Sequence, residues 1–413
     1  MKPAPLAAVL AVAGAGLALS GCGSAPEANR IPGKRLVIYM SSPLHGAANS
    51  TARAEVNAAR LALAQQGRIG KYLIQLKVLD DSTPKGDGWD PSQTSLNARL
   101  AAQDPATIGY LGELNSGASA ISIPVLNRAG IAQVSAGSGA VGLTSLGPGA
   151  SPGEPDKYYP SGFRNFVRVM PSDAVESQVQ VTLQQRSGCR DTFVVHDGEV
   201  DGSSEAITFA LTAQSRGLEV LGVQVFTPHA PDYAGLAASV AQTGADCVLI
   251  SALDGPSAAL LARELAVNLP NARLFATSTL AQPSFTQPAK GGLEPALDSR
   301  VLLALPVLGP AAYPASERTM MAAYAREYGT APPQAPLGYA AMTLLLDAIR
   351  RGTDNGRKPA RRSKIVAALF AHGTHQSVLG PYAVDSTGDT TIRSYGIYRV
   401  AGGRLVFVRG ATG

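Results

Sequence analysis

Gly109-Tyr110-Leu111-Gly112-Glu113-Leu114-Asn115-Ser116-Gly117-Ala118-Ser119, continuing through Ala120 to Gly130, is the stretch that decides the fold. It reads as a short apolar strand beginning at Thr107, a tight polar turn, and a helix capped by Asn115 or Ser116. A strand feeding straight into a capped helix leaves backbone N–H groups and a partial positive charge pointing out of the turn. Such a turn suits a carboxylate or another anion. The plainer reading of the same residues is that Ser116 only caps its own helix.

Working outward, the same strand-then-helix unit repeats with short links. Strands are expected at 36–40, 73–79, 107–111 and 131–134, with helices at 52–66, 91–102 and 116–128 between them. Residues 137–162 are rich in Gly, Pro and Ser and read as a crossover. The alternation restarts at 163–169 and runs through strands at 192–196, 218–226, 247–251 and 273–277. Alternation of this kind calls for parallel strands covered on both faces, so the fold class is α/β with two doubly wound lobes. The remainder contains a strand at 301–305, helices at 316–328, 337–351 and 362–372, and terminal strands at 392–399 and 405–408. It is too long for a tail and too fragmented for a third lobe, and is expected to complete the first two.

The 413 residues, 45% of them hydrophobic, are enough for two or three cores. Residues 1–22 stand apart: Lys2, an apolar run over 6–19 too short to span a membrane, then Leu19-Ser20-Gly21-Cys22, the layout of a secretion signal. These last four residues resemble the lipobox of bacterial lipoproteins, which implies lipidation at Cys22 and a tether over 23–34. Two further cysteines, Cys189 and Cys247, start apolar strands in a chain expected to reach an oxidising compartment. They read as a disulfide if those strands are parallel neighbours, and otherwise as two buried thiols. The net charge of +5 is spread out, without the basic–aromatic patch of a nucleic-acid binder, so no nucleic-acid partner is expected. Only residues 350–364 concentrate basic side chains, as a solvated turn between helices.

Several motifs together resemble those of the type 1 periplasmic binding proteins, in particular the branched-chain-amino-acid-binding receptors of ABC importers. They are Met40-Ser41-Ser42-Pro43, Leu79-Asp80-Asp81-Ser82-Thr83-Pro84, Gly112 to Ser116, Phe166-Val167-Arg168-Val169-Met170-Pro171-Ser172-Asp173, Val195-His196-Asp197 and Gly338-Tyr339-Ala340-Ala341. The resemblance implies two lobes joined by three crossings, residues 35–160 plus 279–390 forming the first and 161–278 plus 391–413 the second. The ligand is then held in the cleft at the carboxyl ends of the strands, which close on it by a hinge motion. Candidate ligand-binding residues are Ser42, His45, Asn115, Ser116, Gly137, Ser138 and Gly139 from the first lobe, and Asp201, Asp254 and Ser278 from the second. In amino-acid-binding relatives the residues matching Ser116 and 137–139 hold the ligand carboxylate. Gly139 stands where relatives often carry Thr, Asp201 where they carry a covering Tyr, and Ser278 where an acidic residue meets the ligand ammonium. Either Asp201 or Asp254 supplies the missing anion, or the ligand is not an α-amino acid.

Other motifs lack their structural context. Gly137-Ser138-Gly139-Ala140-Val141-Gly142 fits G-x-G-x-x-G, but no helix is expected after it. Gly149-Ala150-Ser151-Pro152-Gly153 lies within a Pro/Gly linker, and Pro84 denies Ser82-Thr83-Pro84-Lys85 its helical turn. His372 and His375 have no third ligand at metal spacing. Trp89, the only Trp, lies in a loop over 85–90 that reads as a surface loop, with the cleft rim as the alternative. No catalysis, cofactor or metal is expected. The expected function is a monomeric, extracytoplasmic lipoprotein, anchored to the membrane, that passes a small polar solute to ABC permease subunits. A sensor that signals to a membrane partner is the alternative.

Overall fold

The computed structural model describes residues 29–46, 49–83 and 88–413. The expected leader, Cys22, residues 23–28 of the tether, and Lys85 lie outside them. The first sheet has six strands: β1 (Arg35–Ser42), β2 (Arg68–Ile69), β3 (Tyr72–Asp80), β4 (Thr107–Leu111), β5 (Ala132–Ser135) and β6 (Phe166–Arg168), in the order β2-β3-β1-β4-β5-β6. All its pairings are parallel except β2 with β3. Seven of the eight β1 residues are buried, as helices on both faces of a parallel sheet require. Those helices are α1 (Asn49–Gln66), α2 (Pro91–Gln103) and α3 (Ser116–Arg128).

The second lobe follows with α4 (Asp173–Arg186), β7 (Asp191–His196), α5 (Val200–Ser215), β8 (Glu219–Val225), α6 (Ala234–Gln242), β9 (Cys247–Ser251), α7 (Gly255–Asn268), β10 (Arg273–Ala276), the single-turn α8 (Pro283–Thr286) and β11 (Val301–Leu305). The chain then returns to the first lobe with α9 (Ala315–Tyr328), α10 (Ala335–Gly352) and α11 (Arg362–Leu369), of which α10 packs along α1 and α11 against β5. A two-stranded ribbon, β12 (His375–Ser377) with β13 (Gly380–Tyr382), precedes the closing hairpin β14 (Ser394–Ala401) and β15 (Arg404–Thr412). That hairpin adds antiparallel strands to the edge of the second sheet, whose order is β15-β14-β11-β10-β9-β7-β8. Among the described residues no helix is long and apolar enough to cross a membrane.

The two-lobed α/β fold and its three crossings agree with the sequence reading, but the expected lobe boundaries at 160/161 and 278/279 need correction. Strand β6 pairs with β5, so residues 166–168 finish the first sheet instead of opening the second. Strand β11 pairs with β10 and β14, so residues 301–305 belong to the second sheet. In both cases the strand pairs with the strand that precedes it in the chain, and local apolar pattern does not encode after which strand the chain crosses to the other sheet. The crossings fall between residues 168 and 173, 305 and 315, and 382 and 394.

Cys189 and Cys247 form a disulfide, with Cα atoms 5.8 Å apart and a separation of 58 positions in sequence. β7 and β9 are parallel neighbours, with Thr192 opposite Cys247, which brings the two together. Closing a loop of this length stabilises by about 4 kcal/mol in chain-entropy terms.

Candidate functional site

The strands of both sheets point their carboxyl ends at a shared cavity of about 290 Å³. The first lobe contributes Leu114 and Asn115 after β4, Ala136 and Gly137 after β5, and Glu55 from α1; the second contributes Asp197 after β7, Asp254 after β9 and Ser278 after β10. This is the crevice that open α/β sheets offer to ligands.

Of the expected site residues, Asn115, Gly137, Asp201, Asp254 and Ser278 line this cavity. Asn115 is the N-cap residue of α3, yet its side chain makes no capping bond, and its amide has no hydrogen bond among the described residues. Asp254 caps α7 by accepting from the Ser257 N–H at 2.7 Å, so the capping role and the cavity position coexist in one carboxylate. Ser278 donates its N–H and its hydroxyl to Glu176, at 2.7 and 2.6 Å. An acidic group therefore does stand behind Ser278, supplied by α4, a relation invisible in local sequence.

The other five lie outside it. Ser42 faces a separate void of about 10 Å³. His45 turns to Asp80 on a half-exposed rim. Burial by itself would raise Asp80, but hydrogen bonds from Ser82, the Leu44 N–H and His45 hold it below the ordinary value. Ser138 is fully buried, and its hydroxyl contacts Ser119 and donates to the Glu113 carbonyl. Gly139 is pressed against the second lobe: a Cβ there would lie 2.1 Å from an Asp173 carboxylate oxygen, which explains the absence of a larger residue.

Ser116 is also fully buried, and the anion-friendly turn is filled from within the chain. The Ser116 N–H donates to both carboxylate oxygens of Asp201, at 3.0 and 3.1 Å, and the Ser116 hydroxyl accepts from the Ala140 N–H at 3.1 Å. Asp201 sits in the first turn of α5, so this contact joins the lobes across the cleft. Burial pushes Asp201 up to about 7, against the pull of its hydrogen bonds with Ser116. Asp201→Ala leaves the Ser116 N–H without its acceptor and is expected to weaken lobe closure by about 1–3 kcal/mol. Small-angle scattering of the ligand-free protein checks this as an increase in radius of gyration; an unchanged radius would remove Asp201 from any role in closure.

Glu55, Trp89 and Glu199 also line the cavity and are not among the expected residues. Glu55 is 3% exposed in the middle of α1, where its neighbours one turn away, Ala52 and Ala59, are buried too. Its carboxyl has no hydrogen-bond partner among the described residues, and burial pushes it up to about 8. Trp89 reaches the cavity wall because Gly117 lets it in: a Cβ at that position would be 2.5 Å from the ring. Glu199, at the start of α5, is raised by burial and by the charge of Asp197, with the Trp89 side chain lowering it by a hydrogen bond across the cleft. The signal for Glu55 was its three- and four-residue spacing from apolar positions of the same helix.

Two doubly wound lobes closing on one cavity at their strand ends define a bilobal binding protein. The periplasmic binding protein model matches residues 37–404, and the chain belongs to that family. Among solved structures, a leucine-binding protein from Thermotoga maritima is similar over 91% of this chain and 99% of its own, at 18% identity and a TM-score of 0.76. The isoleucine complex of a branched-chain amino acid transporter substrate-binding protein from Streptococcus pneumoniae is similar over 92% and 100%, at 14% and 0.74. A benzoate-bound solute-binding protein from Rhodopseudomonas palustris is similar over 92% and 96%, at 17% and 0.72. No curated protein matches in sequence.

Proposed function

We propose that the chain is an extracytoplasmic, lipid-anchored receptor that captures a small polar solute between its lobes and presents it to the permease subunits of an ABC importer. The observation that carries this is the cavity at the strand ends walled by both lobes, with Asp201 already bridging them. Its volume, about 290 Å³, lies at the small end of ligand sites and suits a metabolite-sized solute. The similar structures from other bacteria hold or are named for leucine, isoleucine and benzoate, solutes of that scale. The 1–22 leader ending at Cys22 supports secretion and anchoring, and the chain acts as a monomer without catalysis in this reading.

A thermal-shift screen of the protein against amino acids, small carboxylates, amides and amines tests the capture role. A ligand at 100 times its Kd is expected to add about 2.7 kcal/mol of stability. No shift with any solute class would sink the reading. The anchor has its own test, because mass spectrometry of the Cys22→Ala protein should show no lipid adduct.

A further inference from the structure

We propose that the interlobe cavity is built for an organic cation without a carboxylate, held by Glu55 and the Trp89 ring with the Asn115 amide as a third contact. The proposal rests on the solute-capture reading and names the solute's charge class.

The first observation is that the place suited to a ligand carboxylate is taken. Both oxygens of Asp201 receive the Ser116 N–H, Ser116 is fully buried, and the Ser116 hydroxyl is engaged by Ala140. Trp89 lies directly over Gly117, the next residue of α3. A ligand carboxylate arriving at this helix start would meet an internal carboxylate, and like charges at such a distance repel.

The second observation is the charge of the walls. Glu55, Asp197, Glu199, Asp201 and Asp254 all line the cavity, and no Lys or Arg among the described residues does. Most of these carboxylates are already engaged: Asp197 accepts from the Leu253 and Glu199 N–H groups, Asp201 from Ser116, and Asp254 from Ser257.

Glu55 is the exception, and this third observation points to a ligand. It is 3% exposed, lines the cavity, and has no hydrogen-bond partner among the described residues. Its carboxyl opens on the cavity, where an ammonium, amidinium or guanidinium would meet it in a charge-assisted hydrogen bond. The Asn115 amide, also on the cavity wall, is likewise unengaged among the described residues. Trp89 adds an aromatic wall, and the quadrupole of an indole attracts cations within about 6 Å of its ring. Without its carboxylate partner a buried cation would be expensive; with Glu55 ionised beside it the pair is neutral.

The test uses paired probes that differ by one carboxylate: isoamylamine against leucine, agmatine against arginine, and putrescine against ornithine, with benzoate as an anionic reference. Binding to the purified full-length protein is measured by calorimetry. At least one amine is expected to bind at least tenfold more tightly than its parent amino acid. Glu55→Gln is expected to weaken that amine at least tenfold, and Trp89→Leu to weaken it several-fold, with the unfolding midpoint of each variant as the control for folding. Tighter binding of an amino acid or of benzoate overturns the cation assignment while leaving solute capture standing. Amine binding that Glu55→Gln does not change also overturns it. Absence of binding by any amine overturns it as well, and capture falls with it only if no solute of any class stabilises the protein in the thermal-shift screen.

Discussion

Replacing Arg168 by methionine is expected to lower the unfolding free energy by about 3–5 kcal/mol, the scale on which a broken buried ion pair costs a protein. Arg168 ends β6 and is fully buried. Its Nε donates to Asp389 at 2.8 Å, one terminal nitrogen donates to the Ser138 and Ala140 carbonyls at 3.1 and 2.9 Å, and the other to the Thr144 hydroxyl at 2.7 Å. One guanidinium thereby ties the loop after β5 to the segment between β13 and β14, both of which pass close to the crossings. Methionine fills much of the volume but leaves the Ser138 carbonyl, the Thr144 hydroxyl oxygen and the Asp389 carboxylate without a donor, and the Ala140 carbonyl with only the Leu143 N–H. Urea denaturation checks this: the midpoint should fall with the slope unchanged. A loss below about 1 kcal/mol would mean that water replaces the guanidinium at little cost.

Stability is expected to fall as the pH rises from about 4 to about 8, the reverse of ordinary acid denaturation. Burial pushes Asp81 and Asp173 up to about 6, Asp201 to about 7, and Glu55 and Glu176 to about 8. In the unfolded chain these groups ionise near 4. Between the two values the folded protein holds protons that the unfolded chain has released, so raising the pH favours unfolding. Each group contributes about 1.4 kcal/mol per pH unit inside its own window. Asp80 and Asp104 act in the opposite sense, since hydrogen bonds outweigh burial and hold them low, but their effect is confined to pH below about 4 and is screened by solvent. Denaturation midpoints at pH 5 and pH 8 decide the matter, and a higher midpoint at pH 8 would show that these carboxyls ionise at little cost in the folded state.

The parts of the molecule legible in the sequence are those set by neighbours along the chain. The strand at Thr107–Leu111 and the helix at Ser116–Arg128 fall where apolar period and capping residues place them. The strands at 166–168 and 301–305 were also visible as strands, but their sheet partners depend on pairing with β5 and with β10 and β14, which no local pattern records. The site divides in the same way. Asn115, Gly137, Asp201, Asp254 and Ser278 follow strand ends or open helices and reach the cavity as expected. Ser116 was read as a ligand contact because a helix start attracts carboxylates; the attraction is real, but the carboxylate comes from residue 201 of the same chain. For Trp89 the sequence leaves a surface loop and the cleft rim both open, because nothing adjacent to it shows that Gly117, on another element, leaves room for its ring.

The path of the chain has a kinetic consequence. The helices α10 and α11 that cover the first sheet are made only after the second sheet has received β11, and the edge of the second sheet waits for β14 and β15 at residues 394–412. Neither lobe therefore has a complete set of contacts until the segments beyond residue 335 have been made. Folding of such a high-contact-order chain is slow, because distant segments must meet before their burial is rewarded. The nascent polypeptide consequently lacks its final packing while most of it is being made, a state more easily passed lengthwise through a narrow channel than a finished two-lobed body.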